Sequence, residues 1–308
     1  MPIAVLLAVL ALALAAPPAS AAPTIGIGEQ DAQMFTDPAW TTLGVRDVRL
    51  VVSWDATTIK FERGLIDGYM GAAKRANARV LVAFGRSRID ARRKVLPTPA
   101  RYRKAFLAFR KRWPQAHEFV AWNEANHCSQ PTCHRPERAA AYFDVLRTAC
   151  PKCTVVAASV LDLPSMASWV KAFRRAARHR PQTWGLHNYI DANRFSTSGT
   201  RALLRAVKGD VWFTETGGVV KRRKRSNIVF PESATHAARA TDWVFGRLAR
   251  LSPRIKRVYV YHWRPSGEQD AQWDSALLNR HGRPRPAYKV LHTWVRRVER
   301  ALRARRHG

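Results

Sequence analysis

Short apolar runs recur along this chain, and each is followed by a stretch with the spacing of an amphipathic helix. The runs are TIGIG (24–28), DVRLVVSW (47–54), RVLVAFG (79–85), EFVAWN (118–123), TVVAASV (154–160), TWGLHNY (183–189), DVWFTET (210–216) and RVYVYHW (257–263). The predicted helices lie near 37–43, 62–76, 98–112, 135–149, 164–178, 199–207, 232–251 and 286–304. The pattern therefore alternates strand and helix from one end of the chain to the other.

Eight such alternations over roughly 280 residues match a (β/α)8 barrel in number and in length. A doubly wound open sheet is the alternative. It usually contains fewer units, and no GxGxxG or GxxxxGKS/T stretch follows the first predicted strand. The predicted fold class is α/β, a single-domain (β/α)8 TIM barrel.

The first 21 residues form an apolar run that is broken by Pro17 and Pro18 and ends in small residues. This pattern predicts a secretory signal peptide that is cut after Ala21. An uncleaved anchor is the alternative, but about 13 apolar residues before the prolines are too few to span a bilayer. Residues 22–308 are then one domain with a basic C-terminal tail, extracellular and without membrane insertion after cleavage.

The four cysteines lie close together in two pairs, Cys128 with Cys133 and Cys150 with Cys153. Export favours disulfides, and we predict bonding within these local pairs. A zinc site is the alternative, because the spacing resembles that of zinc ligands and His127 and His134 lie nearby.

The formal net charge is +31, which predicts attraction to anionic partners such as acidic polysaccharide, cell-wall polymer or nucleic acid. A bias from GC-rich coding would produce the same excess of arginine without any function. The run KRRKRS (221–226) follows the seventh predicted strand closely and thus belongs to the same end of the barrel as that strand's carboxyl end. It is either a clamp for carboxylates or sulfates, or a solvated basic loop.

Two glutamates stand at strand ends, Glu124 after the fourth strand and Glu215 after the seventh. Catalytic groups of (β/α)8 barrels lie at these ends, so both carboxylates should open onto the same mouth. By alternation, Trp122 is predicted to share the inner face with Glu124, and Val211 and Phe213 to share it with Glu215. A pair of carboxylates about 5 to 5.5 Å apart is the requirement of retaining glycoside hydrolysis.

The motifs WNEAN (122–126) and FTETGG (213–218), in this order, resemble clan A of the glycoside hydrolases. The resemblance covers the barrel plan from about residue 24 to 265 and implies a retaining β-glycosidase. It implies that Glu124 is the acid/base, that Asn123 contacts the sugar 2-hydroxyl and that Glu215 is the nucleophile. Many members have proline after the acid/base glutamate, where this chain has Ala125.

Further strand ends also resemble this clan. His187 and Tyr189, predicted on one face of the sixth strand, match positions that often bond the nucleophile. Trp263 after the eighth strand matches the aromatic platform below the sugar in the −1 subsite. Arg49 on the second strand matches an arginine that stabilises the ionised nucleophile.

Other residues near strand ends are candidates for sugar contacts or are merely polar loop residues: Glu29, Gln30, Ser53, Trp54, Asp55 and Arg86. Trp184 and Trp212 stand earlier in their strands and are expected to pack against helices.

The sequence thus predicts a secreted retaining glycoside hydrolase. It should act on β-glycosidic bonds of a poly- or oligosaccharide, acidic ones included, and need no metal or organic cofactor. The alternative is a non-catalytic barrel that binds cell-surface or acidic polysaccharide. A secreted nucleic-acid binder is a third hypothesis, but no nucleic-acid-binding motif supports a specific interaction of this kind.

Overall fold

The computed structural model describes residues 22–222, 228–265 and 272–307, with side chains to residue 304. The predicted signal peptide (1–21) and most of the basic run after Arg222 lie outside the described residues. Within the described part, every helix is too short or too polar to cross a bilayer.

The strands are β1 Thr24–Gly28, β2 Asp47–Ser53, β3 Arg79–Gly85, β4 Glu118–Val120, β5 Thr154–Val156, β6 Ser159–Leu161, β7 Thr183–His187, β8 Asp210–Thr216, β9 Lys221–Arg222, β10 Ile255–Tyr261 and β11 Trp273–Asp274. The α-helices are α1 Pro38–Leu43, α2 Lys60–Arg75, α3 Pro99–Arg112, α4 Pro136–Ala149, α5 Met166–Ala176, α6 Tyr189–Asn193, α7 Ser198–Ala206, α8 Ala234–Gly246 and α9 Pro286–His307. Each predicted helix has a counterpart, whereas α6 was not predicted.

The main sheet has the strand order β5-β4-β3-β2-β1-β10-β8-β7-β6, and its pairings are parallel. Its two terminal strands, β5 and β6, are consecutive segments of one stretch of chain (154–161), so the sheet curls into a barrel. Counting β5 with β6, eight barrel strands alternate with helices, which confirms the (β/α)8 prediction.

Three predicted strands end or divide earlier than the apolar pattern indicated. The fifth strand is interrupted at Ala157 and Ala158, whose backbone groups still bond β7: Ala157 N donates to Thr183 O at 2.9 Å. The fourth strand ends at Val120 and the sixth at His187. These early ends matter because they lie beside the predicted site.

Some helices begin at a short polar side chain that satisfies one of their first backbone amides. Thr98 accepts from Arg101 N ahead of Pro99, and Ser233 accepts from His236 N ahead of α8. Proline in the first turn costs nothing there, because its missing N–H would have no helical partner.

The core has two layers. Inside the barrel, small and branched side chains surround two aromatic rings, in a cluster made of Leu81, Ala83, Val120, Val156, Trp212 and Tyr259. Outside, a larger apolar layer lies between strands and helices, where Trp184 packs against Phe173 of α5 with ring centroids 5.0 Å apart. Trp184 therefore packs against a helix as predicted, but Trp212 does not, because it fills the barrel interior.

Candidate active site

Glu124 reaches the barrel mouth through a left-handed turn. Its φ is 48°, a conformation that costs energy for a residue with a side chain. The turn is held by backbone bonds, from His127 N to Glu124 O at 2.8 Å and from Ala125 N to Ser159 O at 2.9 Å. The prediction that Trp122 shares the inner face was wrong: β4 has already ended, and Trp122 packs outward against Tyr142, with ring centroids 5.0 Å apart.

The second asparagine of the motif explains why the turn is stable. Asn126 Nδ2 donates to Leu161 O at 2.9 Å, and Asn126 Oδ1 accepts from Leu161 N at 2.8 Å. The side-chain amide thus pairs with β6 as a neighbouring strand would. It anchors the loop that carries Glu124 to the adjacent strand.

Glu215 is aimed into the mouth by a β-bulge. Between Trp212 and Glu215 the chain advances three residues while β7 advances two, from Gly185 to His187. A bulge reverses the alternation of faces. Trp212 faces inward, so Glu215, three residues further on, would face the helices in a regular strand. Val211 and Phe213 lie in the outer layer, and their predicted inward orientation was therefore wrong.

A buried arginine connects the residues at the mouth. Arg49 is fully buried, and its Nη1 lies 2.7 Å from Glu215 Oε2. Its Nη2 donates to Asn123 Oδ1 and lies 3.3 Å from His187 Nε2. Arginine only donates hydrogen bonds, so His187 Nε2 accepts and the proton lies on Nδ1. That Nδ1 faces Glu124 Oε1 at 3.3 Å.

Tyr189 lies at the start of α6 rather than on the sixth strand. Its hydroxyl nevertheless donates to Glu215 Oε1 at 3.0 Å. Burial, followed by the charge of Glu215, raises the pKa of Tyr189 well above its usual value, so the phenol keeps its proton. Both oxygens of Glu215 therefore have donors, Arg49 on one and Tyr189 on the other.

The carboxyl of Asp162 holds α6 in place. It accepts from the backbone N–H of Asp191 at 2.8 Å and of Ile190 at 3.2 Å. Burial raises the pKa of Asp162 to about 7, despite these bonds. The sequence pattern did not single out this residue.

The two glutamates approach each other closely. One carboxylate oxygen of Glu124, one of Glu215 and a ring nitrogen of His187 all lie within 4.8 Å of one another. Burial raises the pKa of the Glu124 carboxyl. The hydrogen bond from His187 and the interactions with His127 and Arg49 lower this pKa by a larger amount, so its net shift is downward. The pair thus sits in a cationic setting rather than an apolar one.

Trp263 lies away from this pair. It is 2% exposed, packs edge-on against Trp40 of α1 with centroids 6.0 Å apart, and donates from Nε1 to Asp37 Oδ2 at 3.2 Å. The chain turns just after β10, and Glu29 holds the turn by accepting from Trp263 N at 2.9 Å. The structure thus places Trp263 outside the cavity that contains both glutamates, whereas Tyr261, two residues earlier, lines that cavity.

A cavity of about 570 Å³ opens above the carboxylates. Its walls are formed mainly by aromatic, aliphatic and cationic side chains, among them Arg86, His127, Tyr189, Arg222, Phe230, Tyr261 and Trp273. Trp273 packs edge-on against Tyr189, with centroids 4.7 Å apart. Of the six loop residues considered from the sequence, only Arg86 lines this cavity among the described residues.

One cavity wall is a two-stranded arm in which β9 pairs with β11. Trp273 opposes Arg222, although 51 positions separate them in the sequence, and β-branched runs are absent from both segments. No local pattern marks such a pairing, so Phe230 and Trp273 were not predicted as cavity residues, whereas Arg222 belongs to the basic run that was predicted at this end of the barrel.

Both predicted disulfides are present, Cys128–Cys133 and Cys150–Cys153. Because each sulfur is bonded to another sulfur, neither pair offers thiolate ligands for the zinc alternative. The first disulfide closes the loop that follows Glu124, and Thr132 in that loop donates to Ala125 O at 2.8 Å.

Solved structures similar to this chain include a GH5_18 protein and a family 39 glycoside hydrolase. A GH5_18 protein from Streptomyces cattleya, in complex with GlcNAc, has a TM-score of 0.65 at 17% identity, with 91% of this chain and 81% of that chain covered. No family model and no curated protein matches the sequence.

Two further similar structures cover less of their own chains. A family 39 glycoside hydrolase from Bacteroides cellulosilyticus WH2 has a TM-score of 0.58 at 13% identity, with 90% of this chain and 64% of that chain covered. A mutant of Gas2p from Saccharomyces cerevisiae, in complex with laminaritetraose and laminaripentaose, has a TM-score of 0.58 at 16% identity, with 89% and 63% covered. Identities this low establish the shared fold.

Proposed function

We propose that this protein is a secreted retaining glycoside hydrolase that cleaves β-glycosidic bonds. One observation carries the proposal: oxygens of Glu124 and Glu215 lie within 4.8 Å of each other. Retaining enzymes have carboxyl groups about 5 to 5.5 Å apart, whereas inverting enzymes separate them by about 6.5 to 9.5 Å to admit a water molecule. The present spacing supports direct attack by one carboxylate.

In the first step, Glu215 attacks the anomeric carbon while Glu124 donates its proton to the glycosidic oxygen. The bond to the leaving sugar breaks, and an ester forms between Glu215 and the retained sugar. In the second step, Glu124, now a carboxylate, removes a proton from water as the water oxygen bonds to the anomeric carbon. The ester breaks, Glu215 is released, and Glu124 is again protonated.

The surrounding contacts support these roles. Arg49 and Tyr189 bond the two oxygens of Glu215, which orients the carboxylate and stabilises its charge. Asn123 uses Oδ1 to accept from Arg49, which leaves its Nδ2 hydrogens for the sugar 2-hydroxyl. We assign the aromatic platform of the −1 subsite to Tyr261, because it lines the cavity that also contains both glutamates.

The cavity and the similar structures support one class of substrate. The similar proteins have been solved with GlcNAc, with Manb1-4GlcNAc and with laminari-oligosaccharides. Aromatic walls such as those of Tyr189 and Trp273 suit the faces of pyranose rings. A β-linked poly- or oligosaccharide is therefore the proposed substrate, and the two disulfides support action outside the cell.

The variant Glu124→Gln tests whether Glu124 acts as the general acid or only supports the structure of the site. We expect hydrolysis of β-linked oligosaccharides to fall by roughly 10²- to 10⁴-fold, the usual contribution of a general acid. With a β-aryl glycoside, whose phenolate leaves without protonation, the rate of the glycosylation step should fall far less. Steady-state and burst kinetics on both substrate types, with NMR of the first-formed anomer for the wild type, provide the measurement.

Equal losses on both substrates would contradict the acid role of Glu124. A first-formed product of inverted configuration would overturn the retaining mechanism. Absence of turnover on a broad panel of β-glycans, with binding retained, would instead favour a non-catalytic polysaccharide-binding barrel.

His187 should set the alkaline limb of the pH profile. Its hydrogen bond to Glu124 helps to lower the pKa of that carboxyl, and the acid must be protonated to act. His187→Phe removes the donor and raises this pKa, so the alkaline limb of kcat/KM should move to higher pH. His187→Gln, whose amide can still donate, should keep the limb near its wild-type position. An unmoved limb in the phenylalanine variant would show that the hydrogen bond does not tune Glu124.

A further inference from the structure

Arg86 contributes an unneutralised cation to the cavity. It follows β3, lines the cavity with Glu124, and is about half-buried. Its Nη1 donates to Ser129 O at 2.7 Å, and no carboxylate among the described residues lies within 4.0 Å of its guanidinium. Burial, followed by the charge of Arg93, lowers the pKa of Arg86, and the charges of Glu124 and Asp90 oppose this shift only in part.

Arg222 contributes a second cation to the cavity, from the β9–β11 arm. Its side chain is 10% exposed and lies over the ring of Phe230, 4.6 Å from the centroid. Its Nε is buried and has no hydrogen-bond partner among the described residues. Glu232 Oε1 lies 3.8 Å from that Nε, which is too far for a hydrogen bond. A buried guanidinium with an unsatisfied N–H is costly unless a ligand completes it.

The topology puts the two arginines on opposite sides of the catalytic pair. Arg86 follows the third barrel strand, and Arg222 follows the seventh, β8. In a ring of eight strands, the third and the seventh are diametrically opposed. Both arginines line the cavity that contains the catalytic pair, on segments that follow opposite strands of the ring.

Among the described residues that line this cavity, Asp162 is the acidic one outside the catalytic pair. Its carboxyl faces the backbone amides of Ile190 and Asp191, and its raised pKa, about 7, makes it neutral in mildly acidic solution. Its repulsion of an anionic ligand is weak under those conditions. The net charge of +31 adds a long-range attraction for the same kind of ligand.

We infer that Arg86 and Arg222 bind anionic substituents of the substrate, uronate carboxylates or sulfate esters, on sugar residues that flank the cleavage point. This inference rests on the proposed glycosidase function and deepens it. The planar fork of arginine forms paired, charge-assisted hydrogen bonds with carboxylate and sulfate oxygens. Such contacts would satisfy the orphaned N–H of Arg222 and replace the missing counter-ion of Arg86.

The test compares matched oligosaccharides. A β-1,4-glucuronan tetrasaccharide and cellotetraose share backbone and linkage and differ in carboxylate against hydroxymethyl, and 6-O-sulfated cellotetraose supplies the sulfate arm. Dissociation constants are measured by calorimetry in the Glu215→Gln background, so that turnover does not interfere. We expect at least about tenfold tighter binding of one anionic tetrasaccharide than of cellotetraose.

Arginine variants then locate the interaction. Arg86→Gln and Arg222→Gln should each weaken binding of the favoured anionic tetrasaccharide by about tenfold and alter cellotetraose binding by less than about threefold. Arg175→Gln is the matched control, because it removes the same charge from an exposed position in the last turn of α5, at the other end of the barrel. It should change neither constant appreciably.

The experiment distinguishes failure of the anion-binding inference from failure of the proposed glycosidase function. Equal affinity for anionic and neutral tetrasaccharides, no binding of any anionic one, or a loss in Arg175→Gln as large as in the cavity variants would overturn the inference. The glycosidase function would still stand if the wild type cleaves neutral β-glycans and Glu215→Gln does not. If the wild type cleaves nothing yet binds the anionic tetrasaccharide through Arg86 and Arg222, the proposed function fails and the anion site remains.

Discussion

Replacing Glu215 with alanine is expected to lower kcat/KM for a β-linked oligosaccharide by roughly 10⁴-fold or more, because it removes the carboxylate that forms the covalent intermediate. Sodium azide should restore part of the turnover. The substitution leaves the donors of Arg49 and Tyr189, which now contact the two carboxylate oxygens at 2.7 and 3.0 Å, and they would hold an azide anion in the vacated space. Attack from that face gives a glycosyl azide of inverted configuration, which NMR identifies.

The control for this experiment is Glu137→Ala, which removes an exposed carboxylate that pairs with Arg135 on the surface. It should retain wild-type kcat/KM and gain nothing from azide. If Glu215→Ala keeps substantial activity, or if azide yields no glycosyl azide in this variant, Glu215 is not the nucleophile and the double-displacement mechanism does not apply to this site.

The sequence pattern located both glutamates at strand ends but could not assign the inner and outer faces around them. Strict alternation places Phe213 with Glu215, whereas the bulge in β8 separates them. A bulge depends on the register of both neighbouring strands, β7 and β10, and this information is not local in the sequence. Glu124 faces the mouth for a different reason, which is its left-handed φ of 48°. The motif WNEAN contains no glycine that would have indicated a left-handed turn at this position.

The aromatic residues show a second limit of sequence reasoning. Tyr261 and Trp263 both lie near the end of the eighth predicted strand, RVYVYHW. The alternation of residues in this run does not show which of the two rings faces the mouth. The choice is made by Glu29 and Asp37, which bind the backbone and the indole of Trp263 from the first strand's loop and from the turn before α1. Contacts between residues near the first and the eighth barrel strands decide the orientation of Trp263. The periodicity of the sequence does not show these contacts.

At the amino-terminal end of the barrel, Arg257 holds a charge cluster that should matter for stability rather than turnover. Its Nη1 and Nη2 contact the two oxygens of Glu118 at 2.5 and 2.9 Å, and its guanidinium lies 4.0 Å from the centroid of Trp212 inside the barrel. Arg257 is 18% exposed and Glu118 17%, so water screens the pair only weakly. Among the described residues, no other cation lies within 4.0 Å of Glu118.

Arg257→Met should therefore lower the free energy of unfolding by about 3 to 5 kcal/mol, since it leaves a largely buried carboxylate without its partner. For a chain of this size the expected fall in Tm is about 5 to 8 °C, measured by calorimetry or circular dichroism. Arg135→Met, which breaks the exposed pair with Glu137, should change Tm by much less.

A double variant distinguishes the ion pair from simple packing. Adding Glu118→Gln to Arg257→Met removes the stranded charge, and the double variant should recover part of the lost Tm, as buried pairs replaced by uncharged groups usually do. If Arg257→Met alone costs no more than Arg135→Met, the cluster is solvated in solution. If the double variant is less stable than the single one, Glu118 contributes through contacts other than its pair with Arg257.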